Sequence, residues 1–318
     1  MKRQILNILC CPKCKQTLTL MEKEVVKDEV IDGVLDCSSC QSSFKIMNGV
    51  PRMIVDLGGR RELAESWGFQ WDKTTERKFE IDTLYGKTKE EELNDFFHFL
   101  DIIPNDLKGK LILDAGCGNG RLTKALGKYR AEVFGIEIAS SIENLYEYCR
   151  PYKNVNIVQA DILNLPFKKA TFDYVWGKLV ICYVQETEHA FKNLSDLVKS
   201  YGKLFIAVPD KTNLPFTVKL RDFLKISHKI PRKSLFYLSW CLAPSLSLAK
   251  RVFKKHRTSL RTNAFFLFNA MQPEFFTRHT EEEVIGWFRK GNFCDIICIN
   301  GAQHGIYEHG IYTRGTKK

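Results

Sequence analysis

The apolar positions of this chain change period several times, and each change marks a predicted element. Between residues 111 and 208 they fall in short, unbroken runs. Leu111 to Leu113, Glu132 to Glu137, Val155 to Val158, Phe172 to Trp176 and Leu204 to Val208 are such runs. Runs of this length without polar alternation predict strands buried on both faces, as in a parallel sheet. Between them the spacing turns helical: Leu122, Ala125 and Leu126, then about Ser140 to Arg150, then about Glu188 to Lys199, followed by a turn at Tyr201-Gly202-Lys203. Strand, helix, strand alternation with short links predicts an α/β fold with a doubly wound parallel sheet. Upstream, Glu90 to Leu100 carries Leu93, Phe96, Phe97 and Leu100 on one helical face, and Pro104 and Gly109 break the helix before the first strand. Downstream, Thr280 and Glu283 form a capping box ahead of Val284, Ile285, Trp287 and Phe288, and Gly291 ends that helix. Asp295 to Ile299 and Gly310 to Thr313 read as a final antiparallel pair.

One stretch fits neither pattern. Leu235 to Ala249 is apolar and uncharged, and Arg232-Lys233 and Lys250-Arg251 flank it. The chain has 318 residues, 48 Lys and Arg against 37 Asp and Glu, and a formal net charge of +11. Twelve of the basic residues lie between Pro215 and Thr262, where Asp222 is the only acid, so this one segment holds the whole excess. The segment reads as a basic helical lid over a substrate cleft, inserted at 211–270, that selects an anionic or amphipathic substrate. A peripheral membrane contact through its basic flanks and aromatic residues is a second use for the same surface. No stretch reaches the roughly 18 apolar residues of a membrane span. The N-terminal apolar run is too short for a signal peptide and runs straight into cysteines, so a cytoplasmic location is expected.

Those cysteines are the first candidate chemistry. Cys11-Pro-Lys-Cys14 and Cys37-Ser-Ser-Cys40 are two matched C-x-x-C pairs, with 22 residues between them. Two such knuckles give the closed four-thiolate shell of a structural Zn2+. A segment of about 56 residues buries little core, so the metal would supply its folding energy. Residues 1–56 are therefore expected to form a zinc-ribbon-like domain, residues 57–109 a helical linker, and residues 110–318 the main α/β domain. Trp67, Phe69 and Trp71 in the linker are candidates to line the site.

The second candidate is Asp114-Ala-Gly-Cys-Gly-Asn-Gly120, at the end of the first predicted strand. The glycines at 116, 118 and 120 make a tight loop leading into a helix, which lets a ligand approach backbone N–H groups. A dinucleotide loop would read G-x-G-x-x-G, but Arg121 stands where its third glycine belongs. A carboxylate facing the loop would repel a pyrophosphate and suit a ligand with a cationic amino-acid end, as in S-adenosylmethionine. The stretch resembles motif I of the class I S-adenosylmethionine-dependent methyltransferases, of the type 11-like kind. The N-terminal unit, with Phe44 to Pro51 after its second knuckle, resembles the zinc-ribbon family of small methyltransferase-activator subunits.

The first resemblance implies a seven-stranded Rossmann-like sheet with S-adenosyl-L-methionine held at Asp114, Gly116, Cys117, Gly118 and Gly120. It implies that Glu137, with Ile138 after it, takes the ribose, and that Asp161 and Ile162 take the adenine. Asp173 is a fourth marker in order. Gly177 and Trp71 join the cofactor residues. The carboxyl-end rule points to Gly177, Lys178, Tyr183 and Asp210 as substrate contacts. Methyl transfer from a sulfonium needs alignment, exclusion of water and sometimes a base, and His279, His304 and His189 are the candidates, with Tyr183 to position the acceptor. The expected activity is methylation of a small molecule or biosynthetic intermediate that is anionic, saccharide-like or amphipathic. Two alternatives stand beside it: an RNA methyltransferase gripping phosphates with the ribbon and basic lid, and a non-catalytic cofactor-binding module.

Overall fold

The structure is a computed structural model of the chain that describes residues 1–79, 87–212, 229–253, 259–301 and 310–318, with backbone alone at 59 and 250–253. Among the described residues, eleven strands form one sheet. Its inner part consists of β5 (Leu111–Ala115), β6 (Glu132–Glu137), β7 (Val155–Ala160), β8 (Phe172–Lys178) and β9 (Val198–Pro209). These are paired in parallel in the order β7-β6-β5-β8-β9. Two antiparallel strands, β11 (Gly310–Lys317) and then β10 (Phe293–Asn300), extend it past β9. Strand order reverses between β5 and β8, which leaves a crevice at the carboxyl ends of the strands.

The sheet is wider than the expected seven strands because the N-terminal unit joins it. β1 (Thr19–Val26), β2 (Glu29–Cys37), β3 (Ser42–Met47) and β4 (Val50–Met53) form an antiparallel meander. β4 then pairs in parallel with β7, Arg52 opposite Gln159 and Met53 opposite Ala160. An unpaired edge on β7 would leave a row of backbone groups without partners, and β4 covers it.

Helices cover both faces. Eight are seen among the described residues: α1 (Arg61–Thr75), α2 (Lys89–Leu100), α3 (Arg121–Leu126), α4 (Ile142–Cys149), α5 (Thr187–Leu197), α6 (Arg232–Phe253), α7 (Leu260–Met271) and α8 (Glu281–Lys290). The capping box at Thr280 and Glu283 is present, and a second one, Thr88 with Glu91, starts α2. Trp176 stacks on Phe205 at 3.9 Å between ring centroids, and Phe99 stacks on both Phe205 and Tyr312, so α2 is fastened to the sheet by aromatic faces. No described helix is long and apolar enough to cross a membrane.

Two local expectations change. Tyr201-Gly202-Lys203 is no turn between helix and strand; it lies inside β9 as an irregularity in the pairing with β8. Gly202 is required there because a Cβ would lie 2.8 Å from the Asp173 carbonyl oxygen. Asp173 itself stands at the start of β8, away from the crevice. It accepts from the Leu111 N–H and pairs with Lys110 and Lys199, so it fastens strand starts.

Candidate active site

A cleft opens at the carboxyl ends of β5 to β8, and its walls come from the ends of these strands together with α1 and α2. Asp114, Gly116, Cys117, Gly118, Glu137, Ile138, Asp161, Ile162, Trp71 and Tyr183 all line it. Residues more than a hundred positions apart meet because parallel strands deliver their ends to one side of the sheet.

The loop after β5 is tied to the sheet more tightly than the sequence suggests. The N–H groups of Gly116 and Cys117 both donate to the Ile136 carbonyl, and that of Gly118 donates to Glu137 Oε2 at 2.9 Å. These three amides are therefore already used, and the loop offers a ligand close approach rather than a ring of free donors. Trp71 explains why residue 118 must be glycine. A Cβ there would sit 2.8 Å from the indole ring, and its φ of +57° lies in the left-handed region. The Cys117 sulfur points under the loop toward Gly135. Gly120 is absent from the cleft lining, and its α-carbon faces Leu145 of α4. Gly177, expected among the cofactor residues, turns away from the cleft toward Ile206 and Leu194.

The acids have different partners. Asp114 is buried beneath the loop, where Thr123 donates its hydroxyl at 2.6 Å. Burial pushes its carboxyl up to about 7, with Glu92 and Glu137 adding repulsion against the Thr123 hydrogen bond. Glu137 accepts from the N–H groups of Gly118, Ile138 and Ala139, yet burial dominates and raises its pKa too. Asp161 accepts from the Leu163 N–H with one oxygen, while its other lies 2.7 Å from the Arg60 guanidinium.

Four carboxylates line the cleft, from Glu92, Asp114, Glu137 and Asp161, against two cations, Arg121 and Lys178. Arg121 lies 3.4 Å from Glu92 and donates to the Lys87 carbonyl, while Lys178 lies 3.3 Å from Asp95. Burial lowers the Lys178 pKa, and Glu92 and Asp95 oppose that. Arg121 Nη1 and Trp71 Nε1 are buried with no hydrogen-bond partner among the described residues. Such a site suits a ligand that is cationic overall and carries an acceptor group at one end. Glu92 and Asp95 were not legible as site residues, because on the sequence they belong to the polar face of an amphipathic helix. Arg121 had one signal, its place directly after the third glycine.

The roof is aromatic. On α1, Trp67 and Trp71 stack with centroids 5.8 Å apart, and Tyr183 meets Trp67 edge-on at 4.8 Å. Gly68 lets α1 lie against the end of β6, since a Cβ would collide with Ser140. The Ser140 N–H donates to the Ala64 carbonyl and the Ser141 hydroxyl to that of Gly68, closing the same contact. Leu235 of α6 and Phe265 and Phe268 of α7 belong to the buried cluster that includes the two tryptophans.

The histidines are elsewhere. His279 was expected to face the cleft, but its ring lies against Trp287 at 4.6 Å and its Nδ1 is 3.2 Å from Glu283. It is absent from the cleft lining, and its backbone is tied to Pro209 and Lys211. Asp210 is likewise turned inward, accepting from Thr212 and Asn300. His189 is exposed on α5, and His304 lies outside the described residues.

At the other end of the chain, the sulfurs of Cys11, Cys14, Cys37 and Cys40 lie within 4.8 Å of one another, with Cys11–Cys40 at 3.6 Å and Cys14–Cys37 at 3.4 Å. A tetrahedral zinc with Zn–S bonds of about 2.3 Å needs sulfurs about 3.8 Å apart. The four thiols fit a structural metal with no open position. Cys10 is not among them. Its N–H donates to the Pro166 carbonyl, Lys15 donates to the Leu165 carbonyl, and the Lys168 N–H donates to the Ile8 carbonyl. The cysteine knuckle thus grips the loop that follows Asp161 and Ile162.

Comparison with known proteins agrees with this geometry at both ends. Residues 113–206 match the methyltransferase domain family, and residues 2–49 match the Trm112p-like protein family. The chain therefore carries a methyltransferase domain on a Rossmann-like α/β sheet, behind a Trm112p-like N-terminal domain. Among curated relatives, the ubiquinone biosynthesis O-methyltransferase of Coxiella burnetii (strain RSA 493 / Nine Mile phase I) is 33% identical over 103 residues, 32% of this chain and 44% of that protein. The ribosomal RNA small subunit methyltransferase A of Mycoplasma mycoides subsp. mycoides SC is 32% identical over 120 residues, 36% of this chain and 45% of that protein. The chain spans about half the length of these relatives or less. In fold it is similar to phosphoethanolamine N-methyltransferase 2 of Haemonchus contortus, with a TM-score of 0.51, 14% identity, and coverage of 86% of this chain and 63% of that one.

Proposed function

We propose that the protein is an S-adenosyl-L-methionine-dependent methyltransferase acting on a small, amphipathic or anionic molecule. The observation that carries this reading is the cleft's charge pattern: four carboxylates, on β5, on β6, just after β7 and on α2, beneath an aromatic roof, with Arg121 and Lys178 as the only cations among the described lining residues. The bound cofactor would supply an electrophilic methyl on a sulfonium and leave as a neutral thioether, so no acid is needed at the leaving group. Asp114 and Glu92 would hold the cationic amino-acid end, and Arg121 would take its carboxylate. Glu137 would accept from ribose hydroxyls, and Asp161, Ile162 and Ile138 would hold the adenine. Trp67, Trp71 and Tyr183 exclude water and hold the acceptor in line with the methyl group. With His279 turned away, the proton-handling groups near the acceptor are Tyr183 and Lys178. The aromatic roof favours an acceptor with an apolar body, and Lys178 favours a negative or acidic head.

The test is methyl transfer from labelled cofactor into a metabolite and lipid extract or into total RNA, with calorimetric titration of the cofactor alone. Label in a small molecule is the expected result. The relative that methylates ribosomal RNA, together with the basic 215–262 segment, supports RNA as a second reading. Label in RNA, with binding that falls steeply as salt rises, would replace the first reading with it. Cofactor binding without transfer to either pool would favour the non-catalytic module.

A further inference from the structure

Helix α6 has two unlike sides. Leu235, Ser239 and Ala243 are buried, against the aromatic cluster of α1 and α7. Turned outward, at the three- and four-residue spacing that keeps positions on one side of a helix, are Tyr237, Leu238, Cys241, Leu242 and Leu248. All are exposed, Tyr237 at 67% and Leu248 at 64%. No charged residue occurs from Ser234 to Ala249. At about 1.5 Å per residue this is an uncharged, largely apolar strip roughly 24 Å long. The outward side of a helix in water ordinarily carries charges, and this one carries none. Its surroundings do. Lys229 and Lys233 are exposed at one end, and the first turn of α7 exposes Leu260 beside Arg261.

We propose that the outer side of α6 lies on an anionic lipid bilayer, with its leucines and Tyr237 at the headgroup–acyl boundary and Lys229, Lys233 and Arg261 on lipid phosphates. Charge selects this occupant. Lys229, Lys233 and Arg261 are exposed cations around the strip, and α6 carries no acidic residue, which complements an anionic surface. The same charges would repel a second copy docked face to face, and an uncharged strip of this length offers nothing to an RNA backbone. A bilayer satisfies the apolar strip and its cationic ends together. The buried side of the same helix belongs to the cluster of Trp67 and Trp71, which line the cleft, so docking would place that cluster between membrane and site. This surface stands or falls independently of the reaction proposed above.

The test is flotation of the full-length, zinc-loaded protein with vesicles of phosphatidylcholine alone and with about 30 mol% phosphatidylglycerol added, at low and high salt. Binding to the anionic vesicles is expected, weaker on the order of tenfold for neutral vesicles or at high salt. The double variant Leu242→Glu/Leu248→Glu should float on the order of tenfold less while keeping the parent's melting temperature, since both side chains are outside the core. Lys233→Gln with Arg261→Gln should weaken binding to the anionic vesicles only. Absence of flotation with anionic vesicles would overturn the proposal. So would flotation that the leucine variants leave unchanged, which would mean charge alone acts. Self-association by light scattering that the leucine variants abolish, with no vesicle binding, would instead assign the strip to a second copy.

Discussion

Asp114→Asn separates what the first acid of the glycine loop does for folding from what it does for the ligand. In the folded protein burial holds the carboxyl at about 7, against 3.8 in the exposed chain. The folded state therefore keeps a proton that the unfolded state has released, and stability falls as pH rises from about 4 to about 7, then levels off. The rise in pKa corresponds to ~4 kcal/mol above pH 7. Asn cannot ionise, and its amide oxygen still accepts from the Thr123 hydroxyl. The variant without ligand should thus be more stable than the parent by ~4 kcal/mol at about pH 8, and the difference should shrink toward zero near pH 4. Urea unfolding at several pH values measures it. The same substitution removes the charge that faces the cationic end of the ligand. Cofactor affinity in the parent should rise with pH through about 7 as Asp114 ionises, while in the variant it should be weaker and flat. A stability difference that does not change between about pH 5 and pH 8 would refute the assignment of burial as the dominant cause.

Other outcomes test the remaining walls of the site. Trp71→Ala removes the ring packed on Gly118 and should weaken cofactor binding by roughly 2 kcal/mol, about thirtyfold, by calorimetry; unchanged affinity would take α1 out of the site. His279→Ala should leave the turnover rate within about twofold and lower stability by ~1 kcal/mol through lost contact with Trp287; a large fall in turnover would return it to the chemistry. Arg60→Ala leaves the buried Asp161 without its cation and should destabilise the protein by about 1–3 kcal/mol in urea unfolding, with no change meaning that the pair is solvent-screened. Cys11→Ser should abolish stoichiometric zinc by elemental analysis and melt the N-terminal strands, detectable as proteolysis confined to residues before about 56; zinc retained at full stoichiometry would refute the four-thiolate shell.

The parallel core was legible because buried strands announce themselves as unbroken apolar runs and because Asp114, Glu137 and Asp161 stand at their ends. The thiolate cluster was legible from spacing alone. What escaped was everything decided by tertiary pairing. Nothing local to Val50-Pro-Arg-Met53 says that it will run alongside Val155–Ala160. Glu92 and Asp95 sit on a face that looks solvated until α2 is laid over the cleft mouth. His279 stands at the helix start next to the lid segment, and only the packing on Trp287 removes it. Tyr201 and Gly202 have turn chemistry, which the sheet uses for an irregularity within a strand.

The grip of the cysteine knuckle on residues 165–168 would make metal and methyl donor parts of one equilibrium. If zinc holds the strap of Cys10 and Lys15 in place, and the strap holds the loop of Asp161, then zinc raises the affinity for whatever fills the adenine pocket. Linkage requires the reverse by the same factor: a filled pocket must tighten zinc. On that linkage the chain would hold its metal more tightly with the pocket filled than with it empty.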